Sequence, residues 1–355
     1  MFKSKQKTFI GLDIGSSSVK MVELDCSGAK PALLSMNMAS IPGNAFLNNA
    51  VSNKEVVAEK VHSVIGNRNI EELAAVVAMP APSAFTKKIT LPDMDPGELK
   101  ATIEFEAGSY IPHGLDAVRM DYCILGKKES GEFEVLLVAV KNEIVDSFLD
   151  VMARAGIEVG VIDIDYFALQ GAYEVSYPDL IDKTVALIDI GARFSFINIC
   201  KLGKSLFTGN ISVGGLELTH EIARTLGIEL NDAEAIKKTL KDGDYDEELT
   251  EVVQQNRSSL VSELDRQIRL MWNASGADED IDHILLSGGG AQVPGIAEEL
   301  LARTGIPTEI MDPLKGISIG GDFDIEYINE MRHIVGIAVG LALRRSGDRG
   351  ATVYE

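Results

Sequence analysis

The chain writes one short pattern twice. Residues 9–18, "FIGLDIGSSS", and residues 185–194, "VALIDIGARF", each run an apolar strand into aspartate, isoleucine and glycine before a small turn. Aligning Leu12-Asp13-Ile14-Gly15 on Ile188-Asp189-Ile190-Gly191 keeps apolar residues in register on both sides. A duplicated α/β unit explains this, and it asks for two similar halves. The length agrees: 355 residues exceed the size at which one hydrophobic core usually stops growing, so two lobes are expected.

Along the chain, strands are expected at Thr8–Ile14 and Val19–Leu24, joined as a hairpin by the Gly-Ser turn. A helix over 54–66 carries Val56, Val57, Val61, Val64 and Ile65, and "AAVVAMP" follows as a buried strand ended by Pro80. From Phe85 to Ile157 the pattern changes to strand "FTKKITL", a helix from Pro96 with Asp95 as its N-cap, strands "AVRMDYCIL" and "EFEVLLVAV", and a helix stopped by Gly156. That β-α-β-β-α set reads as an inserted subdomain, about residues 81–157, within a first lobe spanning 1–178. A second lobe is expected over 179–343, with a smaller subdomain at about 215–275 and a polar tail at 344–355. Within it lie a helix capped by Asn231, a long helix over Asp246–Ala274 with one apolar stripe, a helix from Pro294, and the apolar helix "IVGIAVGLAL". Met36 and Met38 read as core.

Charge narrows the partners. With 54 acidic against 33 basic residues the formal charge is −21, which repels phosphate backbones and anionic lipid headgroups. The densest acidic run, Asp242–Glu251, reads as a solvated loop and helix start. Cys26, Cys123 and Cys200 lie far apart without a CxxC spacing, so neither a disulfide framework nor a zinc site is suggested, and the five histidines form no HxxH or HExxH pattern. The longest apolar run near the end, Ile334–Leu343, is too short to span a bilayer. The expectation is a soluble, cytoplasmic protein that reaches a membrane only through a partner.

The repeated turn has a chemical use. After a buried strand, small residues let backbone N–H groups approach an anion closely, and a strand-end carboxylate can hold Mg2+ through water. Two facing copies would clamp one nucleotide between lobes. A single copy is better explained as a tight hairpin. What shifts the balance is "LLSGGGAQVPGI" at 285–296, where a buried strand ends in three glycines, so that backbone can lie flat against a ring or sugar. It has neither the lysine of a P-loop nor a third glycine at Val293, so neither the P-loop nor the dinucleotide-binding fingerprint applies. A mobile loop is the competing explanation.

In these motifs the chain resembles the actin, sugar kinase and heat-shock ATPase superfamily. "GLDIGSSSVK" is similar to its first phosphate loop, "VIDIDYFALQGAY" to its first connecting segment and "ALIDIGARFSFINI" to its second phosphate loop. "LLSGGGAQVPGI" is similar to its adenosine motif, and "IVGIAVGLAL" to its second connecting helix. The resemblance implies an actin-like, ribonuclease H-like duplicated α/β fold of two lobes with the inserted subdomain, binding ATP and Mg2+. It makes Asp13 and Asp189 the metal-side carboxylates. Gly15, Ser16, Ser17 and Ser18 would line the first phosphate loop, and Gly191, Ala192 and Arg193 the second. Lys20 matches the lysine that reaches the phosphates in actin. Gly214, Gly215, Glu234, Lys237 and Lys238 are similar to ribose and adenine contacts, with Gly288, Gly289, Gly290 and Gln292 completing the pocket. Asp165 falls where relatives place a carboxylate that orients the attacking water.

Within the superfamily, "GSYIPHGLDAVRMDYCIL" and "DIDYFAL" look most like the PilM family of type IV pilus assembly, with the FtsA cell-division proteins the nearest relatives. That resemblance implies a scaffold at the inner membrane. A groove beside the inserted subdomain, near "FTKKITL" and Pro96–Tyr110, would take the N-terminal cytoplasmic peptide of PilN. Turnover is expected to be weak or absent. Ala192-Arg193-Phe194 stand where active ATPases of the superfamily tend to have glycines and a threonine. Asp165 is one methylene shorter than the glutamate of many relatives, and misplacing a water by about an ångström can cost roughly a hundredfold in rate. Two alternatives stay open: an FtsA-like filament former, whose C-terminal amphipathic membrane-binding helix the polar tail does not resemble, and an active ATPase or small-molecule kinase.

Overall fold

The computed structural model describes residues 8–111, 114–240, 246–274 and 279–345. It divides into two compact units. The first is made of the described residues of Met1–Glu23, Met36–Asp165 and Arg344–Glu355, and the second of Leu24–Ser35 and Tyr166–Leu343. The division thus falls at Asp165, whereas the sequence pattern puts it near Pro178.

The chain opens with strands β1 (Thr8–Ile14), β2 (Ser18–Asp25) and β3 (Ala32–Ser40), then the two-residue strands β4 (Phe46–Leu47) and β5 (Ala50–Val51). Helix α1 (Lys54–Ile65) and strand β6 (Leu73–Met79) follow. Asn53 caps α1 by accepting the Val56 N–H, and the apolar spacing buries Val57, Val61, Val64 and Ile65. Every residue of β6 is buried, the pattern of a strand with parallel neighbours on both sides and both faces covered.

The inserted segment runs β7 (Ala84–Leu91), α2 (Pro96–Tyr110), β8 (Val118–Lys127), β9 (Phe133–Lys141) and α3 (Asn142–Arg154). The antiparallel order β7-β9-β8 presents Ile89, Leu91, Phe133, Val135, Leu137 and Ala139 to one face, where α2 lays Leu99, Ile103 and Ala107. Asp95 stands at the N-cap of α2, but its side chain makes no capping bond there. Gly156, at φ +73°, ends α3 by the left-handed step that glycine takes without strain. β10 (Glu158–Ile164) then completes a sheet of order β10-β6-β1-β2-β3.

The second half runs through α4 (Asp165–Ser176), β11 (Val185–Ile190), β12 (Ser195–Lys201), β13 (Lys204–Ile211), α5 (Leu216–Leu226) and α6 (Leu230–Lys238). It continues with α7 (Glu247–Ala274), β14 (His283–Ser287), α8 (Ile296–Thr304), β15 (Thr308–Ile310), α9 (Ile325–Met331) and α10 (Gly336–Leu343). Its sheet has the order β13-β12-β11-β14-β15. Both sheets therefore follow one plan: three sequential strands lie side by side, the first two as an antiparallel hairpin, and the first then gains one parallel neighbour by crossover, which in turn pairs in parallel with the last strand. The repeated turn connects the first two strands of each plan. The small residues of α10 let it cross α4 closely: a Cβ on Gly340 would lie 1.7 Å from the Ala168 carbonyl oxygen, and one on Gly336 would lie 2.7 Å from Leu169.

Several local expectations are corrected. β3 and β13 carry mixed apolar and polar residues and escape a periodicity reading; on β3, Met36 is buried but Met38 is exposed. α6 begins at Leu230, so Asn231 lies inside its first turn and does not cap it. α8 starts at Ile296, because Gly295 at φ +77° turns the chain after Pro294. The first seven residues, Pro112 and His113, most of the acidic run (242–245) and the tail from 346 onward lie outside the described residues. No described helix is long and apolar enough to cross a membrane.

Candidate functional site

Each unit carries a turn of its own. In the first, Asp13 sits at the end of β1 with only 6% of its surface exposed. Antiparallel register places Lys20 of β2 opposite it, and Lys20 Nζ donates to Asp13 Oδ2 at 2.8 Å. The Gly15 N–H closes the turn onto the Ser18 carbonyl at 3.0 Å, and the Ile41 N–H holds the Ser17 carbonyl. Among the described residues the N–H groups of Ser16 and Ser17 donate to no backbone carbonyl. They are donors available to an anion at a turn that a buried strand holds rigid.

In the second unit Asp189 is the last residue but one of β11 and is 8% exposed. The Gly191 N–H closes that turn onto the Phe194 carbonyl at 3.1 Å. The Gly191 and Ala192 carbonyls then accept from the Gly215 and Leu216 N–H groups, both at 2.9 Å, which docks the start of α5 onto the turn. Gly214 permits this approach, since a Cβ there would lie 2.5 Å from the Ala192 oxygen. Arg193 is exposed.

The three consecutive glycines have separate duties. Gly288, at φ +87°, passes over the carboxylate of Asp189, and a Cβ there would meet both carboxylate oxygens at 2.9 Å. Gly290 packs on Ile190, where a Cβ would lie 2.3 Å from Cγ2. Gly289 faces open space and is exposed, as is Gln292. The glycines therefore form an ordered short turn, Gly289–Gln292, and not a loose loop.

Beside them lies a polar cluster. Lys237 Nζ donates to the Gly215 carbonyl at 3.0 Å and to Thr219 Oγ1 at 2.9 Å, and pairs with Glu234 Oε2 at 2.6 Å. Thr219 Oγ1 donates to the same Glu234 oxygen at 2.6 Å, and Lys238 stands 3.7 Å from the other. Burial pushes the Glu234 carboxyl up, but the hydrogen bond and charge of Lys237, the Thr219 hydroxyl and Lys238 outweigh it and hold the group below its usual range. A Cβ on Gly215 would lie 3.6 Å from both Gly290 Cα and Lys237 Nζ, so the cluster adjoins the glycine turn. Thr219 was not among the residues the sequence singled out. Its signal was its place four residues after Gly215, one helical turn into α5.

Asp165, in the first unit, opens α4 and is 9% exposed. Its Oδ2 accepts the Ala81 N–H at 3.0 Å, so one carboxylate oxygen is committed to the backbone where the inserted segment begins.

In the second unit, then, Asp189, Gly191, Ala192, Gly214, Gly215, Glu234, Lys237 and the glycine turn are brought together, with Lys238 and Gln292 at the margin. Asp13, Gly15–Ser18 and Lys20 form a second group in the first unit. The residues fit a magnesium ion: Asp13 and Asp189 are hard oxygen donors on rigid strand ends, and the space over Asp189 is one that any side chain at 288 would fill. Each, within its own unit, could hold such an ion through water and neutralise phosphate charge beside it.

Comparison with known proteins agrees with this architecture. The sequence model of the family described as "Type IV pilus assembly protein PilM" matches residues 11–346. The cell division protein FtsA of Bacillus subtilis (strain 168) is 24% identical over 280 residues, covering 69% of this chain and 60% of its own. FtsA of Escherichia coli (strain K12) is 24% identical over 223 residues, covering 55% of this chain and 50% of its own. The chain thus spans about half to three-fifths of the length of these curated relatives. Among solved structures, a PilM-PilN type IV pilus biogenesis complex superposes with a TM-score of 0.82 at 24% identity, covering 96% of this chain and 98% of that one. The ethanolamine utilization protein EutJ of Carboxydothermus hydrogenoformans gives 0.55 at 15% identity, covering 94% and 88%. MreB5 of Spiroplasma citri bound to ADP gives 0.52 at 13% identity, covering 95% of each chain. The fold is the actin-like one.

Proposed function

Since the chain belongs to the family of type IV pilus assembly protein PilM, we propose that it is an actin-like, ATP-binding scaffold of the pilus assembly complex. It is read as working in the cytoplasm, against the inner membrane through a partner. The observation that carries the nucleotide reading is the glycine backbone laid over a buried strand-end carboxylate, Gly288 over Asp189, the aspartate itself belonging to the turn the chain writes twice. Asp13 and Asp189 take the metal side of ATP, the Ser16 and Ser17 N–H groups and Lys20 take phosphate, and Gly288–Gly290, Gly214, Gly215 and the Glu234–Lys237 cluster take the ribose and adenine. Arg193, Lys238 and Gln292 stand at the rim of that assignment.

Hydrolysis is slow in this reading. The second turn offers Ala192 and Arg193 where a threonine hydroxyl would bind the γ-phosphate, and Asp165 already spends one oxygen on Ala81. Phosphate release by the purified protein tests it: turnover above about 1 per second that vanishes in Asp165→Ala supports an active ATPase instead. Sedimentation with and without ATP tests the filament alternative, since the scaffold predicts small species in both.

The partner is the N-terminal cytoplasmic peptide of PilN, and the support is that the neighbouring solved structure is a PilM-PilN complex. On this chain β7 stands at one edge of its sheet, able to accept an added strand, and α2 leaves Phe105 79% exposed. Fluorescence polarisation of a labelled PilN N-terminal peptide tests the assignment. Phe105→Ala weakens binding at least fivefold if α2 takes part, and an unchanged affinity removes α2 from the interface.

A further inference from the structure

The two turns differ in the residue opposite the aspartate. Strand register sets Asp13 against Lys20 in the first hairpin but Asp189 against Phe196 in the second. The Phe196 ring packs edge-on against Tyr166. Lys20 Nζ lies 2.8 Å from Asp13 Oδ2, with the two side chains only 15% and 8% exposed. An ammonium in that position neutralises the charge a divalent cation needs and covers an oxygen the cation, or its bound water, would use. Lysine also carries three donors on a flexible four-carbon stem, so the same group can swing to a phosphate oxygen without backbone movement.

We propose that Lys20 is a tethered stand-in cation, holding Asp13 Oδ2 until a triphosphate draws it away. Magnesium alone is thereby kept from the first turn, and metal and nucleotide enter together. The role is confined to the first turn, because the second has no lysine in register with its aspartate. This inference rests on the nucleotide reading above and adds to it an order of entry.

The test uses the full chain and Mn2+ as a paramagnetic probe, titrated by electron paramagnetic resonance first without and then with ATP. Wild-type protein takes up Mn2+ alone weakly and takes it up tightly with ATP. Lys20→Met, and Lys20→Gln as a variant that keeps a donor without the charge, take up Mn2+ alone at least tenfold more tightly than wild type. Adding Asp13→Asn to either variant abolishes that gain. Both single variants bind metal-free ATP, in the presence of chelator, at least tenfold more weakly. Circular dichroism identifies a misfolded variant, and the other then carries the comparison. Metal-alone affinity unchanged in the folded variants, with Mn2+–ATP still bound by wild type, overturns the stand-in role and leaves the nucleotide reading intact. Wild-type protein that takes up no Mn2+–ATP overturns both.

Discussion

Gly288 carries its backbone over the Asp189 carboxylate at φ +87°, close enough that a Cβ would lie 2.9 Å from each oxygen and 2.6 Å from the Ile190 carbonyl. Gly289, next in sequence, would place a Cβ in open space. The pair separates two uses of glycine. Gly288→Ala is expected to lose about 3 kcal/mol of stability, measured by denaturant unfolding, through strain and collision together. Gly289→Ala is expected to stay within about 0.5 kcal/mol of wild type yet weaken ATP binding, because only a ligand lying on that backbone would meet the new methyl.

The Glu234 cluster gives stability a sign with pH. Its carboxyl is held below the usual value of 4.5, so the folded state binds fewer protons than the unfolded chain in that range. The stabilisation is present above the unfolded value and is lost as pH falls through the folded one. Unfolding free energy should therefore drop between about pH 5 and pH 3, and Glu234→Gln should flatten part of that slope.

Asp165→Ala removes the acceptor of the Ala81 N–H and leaves a buried donor unsatisfied. A loss of about 1–3 kcal/mol is expected by denaturant unfolding. Asp165→Asn keeps an oxygen at that place and should recover most of it. A purely catalytic Asp165 would leave stability unchanged in both.

At the α4–α10 crossing, a methyl on Gly340 would lie 1.7 Å from the Ala168 carbonyl oxygen, with backbone on the other side of the contact. Gly340→Ala is expected to lower stability by at least about 3 kcal/mol or to abolish soluble expression. Gly320→Ala, where nothing lies within 4 Å, serves as the silent control.

The duplication was legible because it is local. A strand, its terminal aspartate and its turn all sit within ten residues, and burial forces the apolar pattern. β6, with seven buried residues, could hardly be anything else. β3 and β13 were not legible. Both stand at sheet edges, where half-exposed positions accept polar residues such as Asn37 and Thr208 and the alternation dissolves. Motif spacing marked Glu234 and Lys237 but not Thr219, whose part depends on α5 and α6 lying side by side. Hairpin register, which the turn length fixes, sets Asp13 opposite Lys20 and Asp189 opposite Phe196, but that Lys20 turns its ammonium onto Asp13 is seen only in the structure.

The central claim is that the repeated aspartate turns bind one metal–nucleotide. Isothermal titration of nucleotide-free protein with Mg2+–ATP tests it most directly, with Asp13→Asn and Asp189→Asn alongside. The account predicts binding at one ATP per chain, weakened at least tenfold by either substitution in protein that remains folded. No heat at millimolar Mg2+–ATP, or an affinity indifferent to both substitutions, would contradict it.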